Sequence, residues 1–180
     1  VIEKYRIERL IGMGGFAAVY RVRHLILDTS VAIKLLRPSV VARRPQLPAL
    51  LCEEARFAAR IQHPNVVRVF DATHTDEVTY IVMELIENGD TLRTYCRGDN
   101  LLPVNQVAEI IFRCAKALDY AHRKRDFDNR ELGLVHRDVS PQNVLISYEG
   151  DIKLCDFGIV KAVAKASKTQ MGALKGKLQY

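Results

Sequence analysis

The sequence predicts an α+β chain: five antiparallel strands with one helix in residues 1–86, then a second part, 87–180, opened by a long amphipathic helix. Three observations predict it. Apolar and polar residues alternate along Tyr5-Arg6-Ile7-Glu8-Arg9-Leu10-Ile11 and again along Val19-Tyr20-Arg21-Val22-Arg23, the period of half-buried strands. Apolar residues recur three or four places apart at Val107, Ile110, Ile111, Cys114, Ala117, Leu118 and Ala121, one face of a helix from Pro103 to about Arg125. The stretch Gly12-Met13-Gly14-Gly15-Phe16-Ala17 lies between two strands, so it turns a hairpin, whereas a dinucleotide fingerprint would open a helix.

Composition sets the class. With 180 residues, 48% apolar and 27% charged, the chain can bury a core without staples. No apolar run approaches the length of a membrane span and no signal peptide opens the chain, so a cytosolic segment is expected. Cys52, Cys96, Cys114 and Cys155 are scattered, which argues against a zinc site or a disulfide framework. The net charge of +6 does not point to nucleic acid. Five lysines (Lys161, Lys165, Lys168, Lys175, Lys177) fall in one acid-free stretch, and no basic helix with interleaved aromatics is present.

The third strand, Val31-Ala32-Ile33-Lys34-Leu35-Leu36, carries one charge, and a lysine amid apolar residues is costly unless its ammonium meets an anion. A helix is expected from Leu47 to about Gln62, and Val66-Val67-Arg68-Val69-Phe70 and Val78-Thr79-Tyr80-Ile81-Val82-Met83 read as the last two strands of the sheet. After the Pro103 helix comes a polar run, Arg123 to Leu132, whose Asp-Asn-Arg core predicts a surface turn. His136-Arg137-Asp138-Val139-Ser140-Pro141-Gln142-Asn143 then sets a carboxylate and a carboxamide five residues apart in a loop. Phosphoryl transfer to a hydroxyl needs an acceptor for the attacking O–H and oxygen ligands for Mg²⁺; Asp138 suits the first task and Asn143 the second. Val144-Leu145-Ile146-Ser147 and Ile152-Lys153-Leu154-Cys155 form a short hairpin that delivers Asp156-Phe157-Gly158 beside Asn143.

A glycine-rich hairpin, Val31-Ala32-Ile33-Lys34, His136-Arg137-Asp138 through Asn143, and Asp156-Phe157-Gly158 occur in that order. Together they resemble a protein kinase, specifically the bacterial serine/threonine kinases of eukaryotic type. The resemblance implies the two-lobed protein kinase fold, with residues 1–86 as N-lobe and hinge and 87–180 as a mainly helical, partial C-lobe. It also implies ATP and Mg²⁺ as cofactors, and protein serine and threonine hydroxyls as acceptors. Lys34 would meet the nucleotide's phosphates and a helix glutamate, and the spacing to His63-Pro64-Asn65 points to Glu54 rather than Glu53. Gly12 and Gly14 would let backbone amides close over the phosphates, although Ala17 stands where the family usually has a third glycine. Ile11, Val19, Ala32, Met83 and Leu145 would sandwich the adenine, and the Glu84 carbonyl and Ile86 amide would bond its edge. Asp90 is a candidate for a ribose hydroxyl or a helix cap. Asp156 and Asn143 would hold the metal, and Phe157 would pack beneath the helix bearing Glu54. With Lys34, Asp138, Asn143 and Asp156 all present, a pseudokinase-type binding module and a small-molecule phosphotransferase of the same fold are the lesser alternatives.

The chain also departs from the family. The lysine usual two places after the catalytic aspartate is Ser140, and a threonine usual in the later segment is Lys177. The two residues stand exchanged, so that the Lys177 ammonium would serve the transferred phosphate. Arg137 before Asp138 implies activation by a phosphate, with Thr169 and Ser167 as available acceptors. The chain opens at Val1 and ends at Tyr180, where the family continues with further helices, so a fragment of low stability and low activity is expected.

Overall fold

The computed structural model describes residues 2–97, 101–126 and 128–157. Strands β1 (Tyr5–Met13), β2 (Ala17–His24), β3 (Thr29–Leu36), β4 (Val69–His74) and β5 (Thr79–Met83) form one antiparallel sheet in the order β1-β2-β3-β5-β4. Between β3 and β4 lie a single turn, α1 (Pro38–Val41), and the helix α2 (Leu47–Ala59).

The two-residue period of β3 separates the faces of this sheet. Ile33 points to a core with Tyr5, Val22, Tyr80 and Val82, while Leu36 joins Ala17, Ile81 and the α2 residues Leu47, Leu51 and Ala55. Ala32, Lys34 and Leu36 share parity, so the only charge of β3 is on the face covered by α2. Along α2 the buried residues Leu47, Leu51, Glu54, Ala55 and Ala58 make a stripe at helical spacing. Glu54 sits inside that apolar stripe at 5% exposure, whereas Glu53 is exposed.

Two sequence expectations are corrected here. The expected strand Val66–Phe70 does not exist as such: β4 begins at Val69, and Val66 bridges Leu154 in parallel sense. Val67 donates its N–H to the Leu154 carbonyl at 2.8 Å, and Leu154 donates to the Asn65 carbonyl at 2.8 Å. An apolar run announces burial, and it does not say which strand it will pair with. Likewise Val107 and Ile111, counted on the buried face of the long helix, are 39% and 63% exposed. In α4 (Val104–Arg123) the buried residues are Ile110, Cys114, Ala117 and Ala121, a narrower stripe than the apolar count suggested.

The remaining elements are β6 (Gly89–Thr91), α3 (Leu92–Tyr95), β7 (Val144–Ser147) and β8 (Ile152–Leu154), with the strands ordered β6-β7-β8 in a second antiparallel sheet. The β7–β8 hairpin was legible in the sequence; β6, three residues long, was not. A core of Ile61, Val66, Ile110, Ala117, Leu134, Leu154 and Phe157 joins this sheet to α4 and to the segment after α2. The polar run after α4 is a surface turn, in which Asp126 Oδ1 accepts the N–H groups of Asp128 and Arg130, both at 2.9 Å.

Gly89 is held where no side chain fits: an added Cβ would lie 2.7 Å from the Ile146 carbonyl oxygen and 3.1 Å from the Ser147 Cα. Gly89→Ala is therefore expected to destabilise by about 1–3 kcal/mol through overpacking against backbone. Gly15→Ala, with nothing within 4 Å, should leave the melting temperature within error, and equal melting of the two variants would contradict this account.

Candidate active site

Lys34 organises the site. Its Nζ donates to Glu54 Oε1 at 2.9 Å and to Asp156 Oδ1 at 2.9 Å, with the lysine side chain only 15% exposed. Burial by itself would depress the Lys34 pKa. The carboxylates of Asp156 and Glu54 outweigh it and raise the pKa above the ordinary lysine value, so the group is an ammonium. Of the two acids considered on α2, Glu54 is the one that reaches Lys34, because the helix turns position 54 inward and 53 outward.

Asp156, the second residue after β8, has φ +59°, an uncommon conformation for a residue with a side chain. Arg137, in the loop before β7, has φ +62°. Both outliers flank the polar cluster, where backbone strain commonly collects.

The loop is wired by His136 and Asn143. His136 is 1% exposed; its Nδ1 accepts the Asp138 N–H at 3.3 Å, and its Nε2 lies 3.0 Å from the Cys155 carbonyl. These two bonds together require the proton on Nε2, which donates to Cys155. The imidazole also packs on the Phe157 ring, centroids 4.6 Å apart. Asn143 Nδ2 donates to the Asp138 carbonyl at 2.8 Å and to its Oδ2 at 2.7 Å, which leaves the carboxamide oxygen as the atom able to take a cation. Cys155 in turn donates its N–H to the Asn143 carbonyl at 2.9 Å. The strand carrying Asp156 and the loop carrying Asp138 are thus tied by two hydrogen bonds through Cys155.

The remaining expected residues surround this cluster. Gly12, Val19, Lys34 and Ile81 are successive cross-strand partners, and Ala32 pairs with Met83. An added Cβ at Gly12 or Gly14 would meet only ordinary contacts, 3.8 Å from Val19 and 3.4 Å from the Ala17 carbonyl oxygen, so the turn itself does not demand glycine there. Ile11, at 40% exposure, lies near the end of β1, and Leu145 on β7 faces Thr91 and Lys153. Glu84 donates its N–H to the Arg68 carbonyl at 2.8 Å; neither the Glu84 carbonyl nor the Ile86 amide bonds another backbone group among the described residues. Asp90 is exposed on β6, and its Oδ1 accepts the Thr91 N–H at 2.6 Å. Phe157 is buried in one cluster with Phe57 of α2. Lys34 lines a small cleft of about 20 Å³ together with Glu54, Met83, Leu154 and Phe157, room for one water. Gly158, Ser167, Thr169 and Lys177 lie outside the described residues.

Three positioning groups escaped the sequence reading. Asn65 donates its Nδ2–H to the Ile152 carbonyl at 2.8 Å, holding β8 from the α2 side. Lys153 Nζ meets Glu84 Oε1 at 2.6 Å, tying β8 to the segment after β5. His136 was seen only as a neighbour of Asp138. The signal available for Lys153 was the one used for Lys34, a single cation in a short apolar strand.

Residues 5–180 match the protein kinase domain family. The serine/threonine-protein kinase PrkC of Bacillus subtilis is 36% identical over 98% of this chain and 26% of its own length. The tyrosine-protein kinase MasK of Myxococcus xanthus is 32% identical over 98% of this chain and 28% of its own length. The chain therefore spans little more than a quarter of either relative. A crystal structure of the Mycobacterium tuberculosis PknI kinase domain superposes with a TM-score of 0.67 at 32% identity, over 87% of this chain and 60% of that one. The chain belongs to the protein kinase domain family.

Proposed function

We propose that this chain carries the catalytic half-sites of an ATP-dependent protein kinase that transfers a phosphoryl group to serine and threonine hydroxyls. Residues 1–86 act as the nucleotide-covering lobe and hinge, and the residues from 87 onward bring the acceptor. The observation that carries this reading is the Lys34–Asp156 contact, which joins residues 122 positions apart into one charged cluster with Glu54. A purely structural lysine would not need two carboxylates from two elements.

The donor set suits Mg²⁺. Among the described residues no group of three or more His, Cys, Asp or Glu side chains could hold a metal by itself. Mg²⁺ is commonly held by one or two protein oxygens plus substrate phosphates, which the Asp156 carboxylate and Asn143 carboxamide oxygen can supply. When bound, ATP–Mg²⁺ supplies the phosphoryl group and screens its charge. Lys34 fixes an ammonium against the nucleotide's phosphates, and Glu54 holds that ammonium in place. Asp138, oriented by Asn143 and by the His136 bond to its backbone, accepts the proton of the attacking hydroxyl. Gly12 and Gly14 let the hairpin backbone approach the phosphates. Ile11, Val19, Ala32, Met83 and Leu145 would receive the base, the Glu84 carbonyl and Ile86 amide would bond its edge, and Asp90 would serve the ribose. ATP as donor implies the cytoplasm as working compartment; Cys52, Cys96, Cys114 and Cys155 are all free thiols. No helix among the described residues is long and apolar enough to cross a membrane.

Arg137 is exposed and pairs with no carboxylate among the described residues, which fits a partner phosphate on Thr169 or Ser167. Ser140 fills the place usually held by lysine, and its hydroxyl is buried without a hydrogen-bond partner among the described residues. We propose that Lys177 supplies the missing cation. A tyrosine acceptor is the second reading, favoured by the similarity to MasK.

Asp138→Asn in the full-length protein should lower phosphotransfer by about 10²–10⁴-fold while leaving ATP binding within a few-fold; unchanged transfer would remove the assigned base. Phosphoamino-acid analysis of a labelled protein substrate should return phosphoserine and phosphothreonine, and phosphotyrosine alone would establish the second reading. Lys177→Thr should slow transfer by about tenfold or more, with partial recovery in the Ser140→Lys/Lys177→Thr double variant; a Lys177→Thr enzyme as fast as the parent sinks the exchange.

A further inference from the structure

A second cavity, of about 490 Å³, shares no residue with the cleft. It is formed where the C-terminal turns of α4 and the polar run after it meet His63, in the segment that follows α2. Five of its seven lining residues are basic or can become so, and Asp119 is the one acid. That acid is already matched, because Arg123 Nη2 lies 2.8 Å from Asp119 Oδ1. Arg125 is matched likewise, 3.1 Å from Glu131 and bonded to the Asn129 carbonyl. Lys116 and Lys124 are not. Lys124 Nζ lies 5.2 Å from the Tyr120 ring centroid and bonds the Tyr120 hydroxyl at 3.0 Å, and Lys116 is 5.4 Å from the Phe112 ring; neither meets a carboxylate among the described residues. The His63 imidazole packs on Tyr120 at 5.3 Å, and burial followed by the Lys116 charge holds its pKa below the ordinary value.

The negative end of the α4 dipole explains some of these cations but not all. Arg123 and Lys124 sit at that end, whereas Lys116 is two turns earlier and His63 belongs to another element. The polar run supplies Lys124 and Arg125, which line the cavity, and the run is closed by the Leu132 N–H to Lys124 carbonyl bond at 2.9 Å. Two unmatched ammonium groups and a half-buried imidazole around one hollow favour a dianion, because hydrogen bonds between ionised partners are the strong ones.

We propose that this cavity binds a phosphorylated, acidic protein segment. Its volume far exceeds that of a lone phosphate ion, and the choice of a phosphoprotein rests on the kinase reading above, since such segments are what a kinase produces. The site lies apart from the cleft, so it recruits or retains a phosphorylated protein without occupying the phosphoryl-transfer centre.

The test is a fluorescence-anisotropy titration of the full-length protein, its cleft filled with a non-hydrolysable ATP analogue, against a labelled nonapeptide with one phosphoserine among aspartates. The unphosphorylated peptide should bind at least about tenfold more weakly, and the Lys116→Gln/Lys124→Gln variant should lose about tenfold or more for the phosphopeptide. The Lys116→Arg/Lys124→Arg variant should retain binding, and both variants should phosphorylate a short generic peptide at the parental rate. Unchanged affinity in the Gln variant would overturn the proposal. So would equal binding of the unphosphorylated peptide, or inorganic phosphate displacing the peptide at equal molar concentration, which would mark a site for a free anion. The titration requires no phosphoryl transfer, so intact binding in a protein without transfer activity would count against the kinase reading alone.

Discussion

The Lys34 ammonium between two carboxylates is the constraint on which the arrangement depends. Removing an ammonium from water costs several kcal/mol, and that cost is offset only where opposite charge and hydrogen bonds meet it. At Lys34 the compensation comes from Glu54 of α2 and from Asp156, two residues past β8, both at 2.9 Å. Neither partner is local. The contact therefore exists only if β3 presents the correct face, α2 has the correct rotation, and the chain at Asp156 enters its left-handed turn at φ +59°. An error in any of the three would leave a charge buried and unmatched.

A second set of bonds, donated by uncharged groups, holds the opposite wall. His136 reaches from the loop to the Cys155 carbonyl, Asn143 reaches back to Asp138, and Cys155 returns an N–H to Asn143. These are short-range bonds between residues that the β7–β8 hairpin brings together. They orient Asp138 without themselves adding charge near it, which suits the proton-accepting role proposed for that carboxylate. Asn65 and Lys153 then connect β8 to the first part of the chain, so the same strand is gripped from the loop, from the α2 side and from the segment after β5.

Two features of the described residues bear on what the chain can meet. Ser140 leaves a buried hydroxyl without a partner among the described residues where a long cation is customary. The polar run after α4 builds one side of a basic hollow away from the cleft. Under the proposed function, such features would leave the reaction in place while altering what the chain meets.

Much of this was legible in the residues themselves. Two-residue alternation marked β1 and β2, a lone charge in β3 marked Lys34, and the order of Gly12, Lys34, Asp138, Asn143 and Asp156 pointed to the proposed chemistry, because local periodicity and residue type are properties of the sequence alone. The spacing to His63-Pro64-Asn65 made Glu54 preferable to Glu53, and burial agrees with that choice. What the sequence could not specify was partnership across distance. Val66 and Val67 look like strand residues of the first sheet, yet they bond Leu154 because burial on two sides lets an apolar run join either neighbour. Ile111 looks like core and is 63% exposed, since an apolar side chain is buried only if another element covers it. The sequence determined which groups could meet a phosphate and in what order they come; only the tertiary structure decided which would share a site, because charge compensation and burial are set by residues far away along the chain.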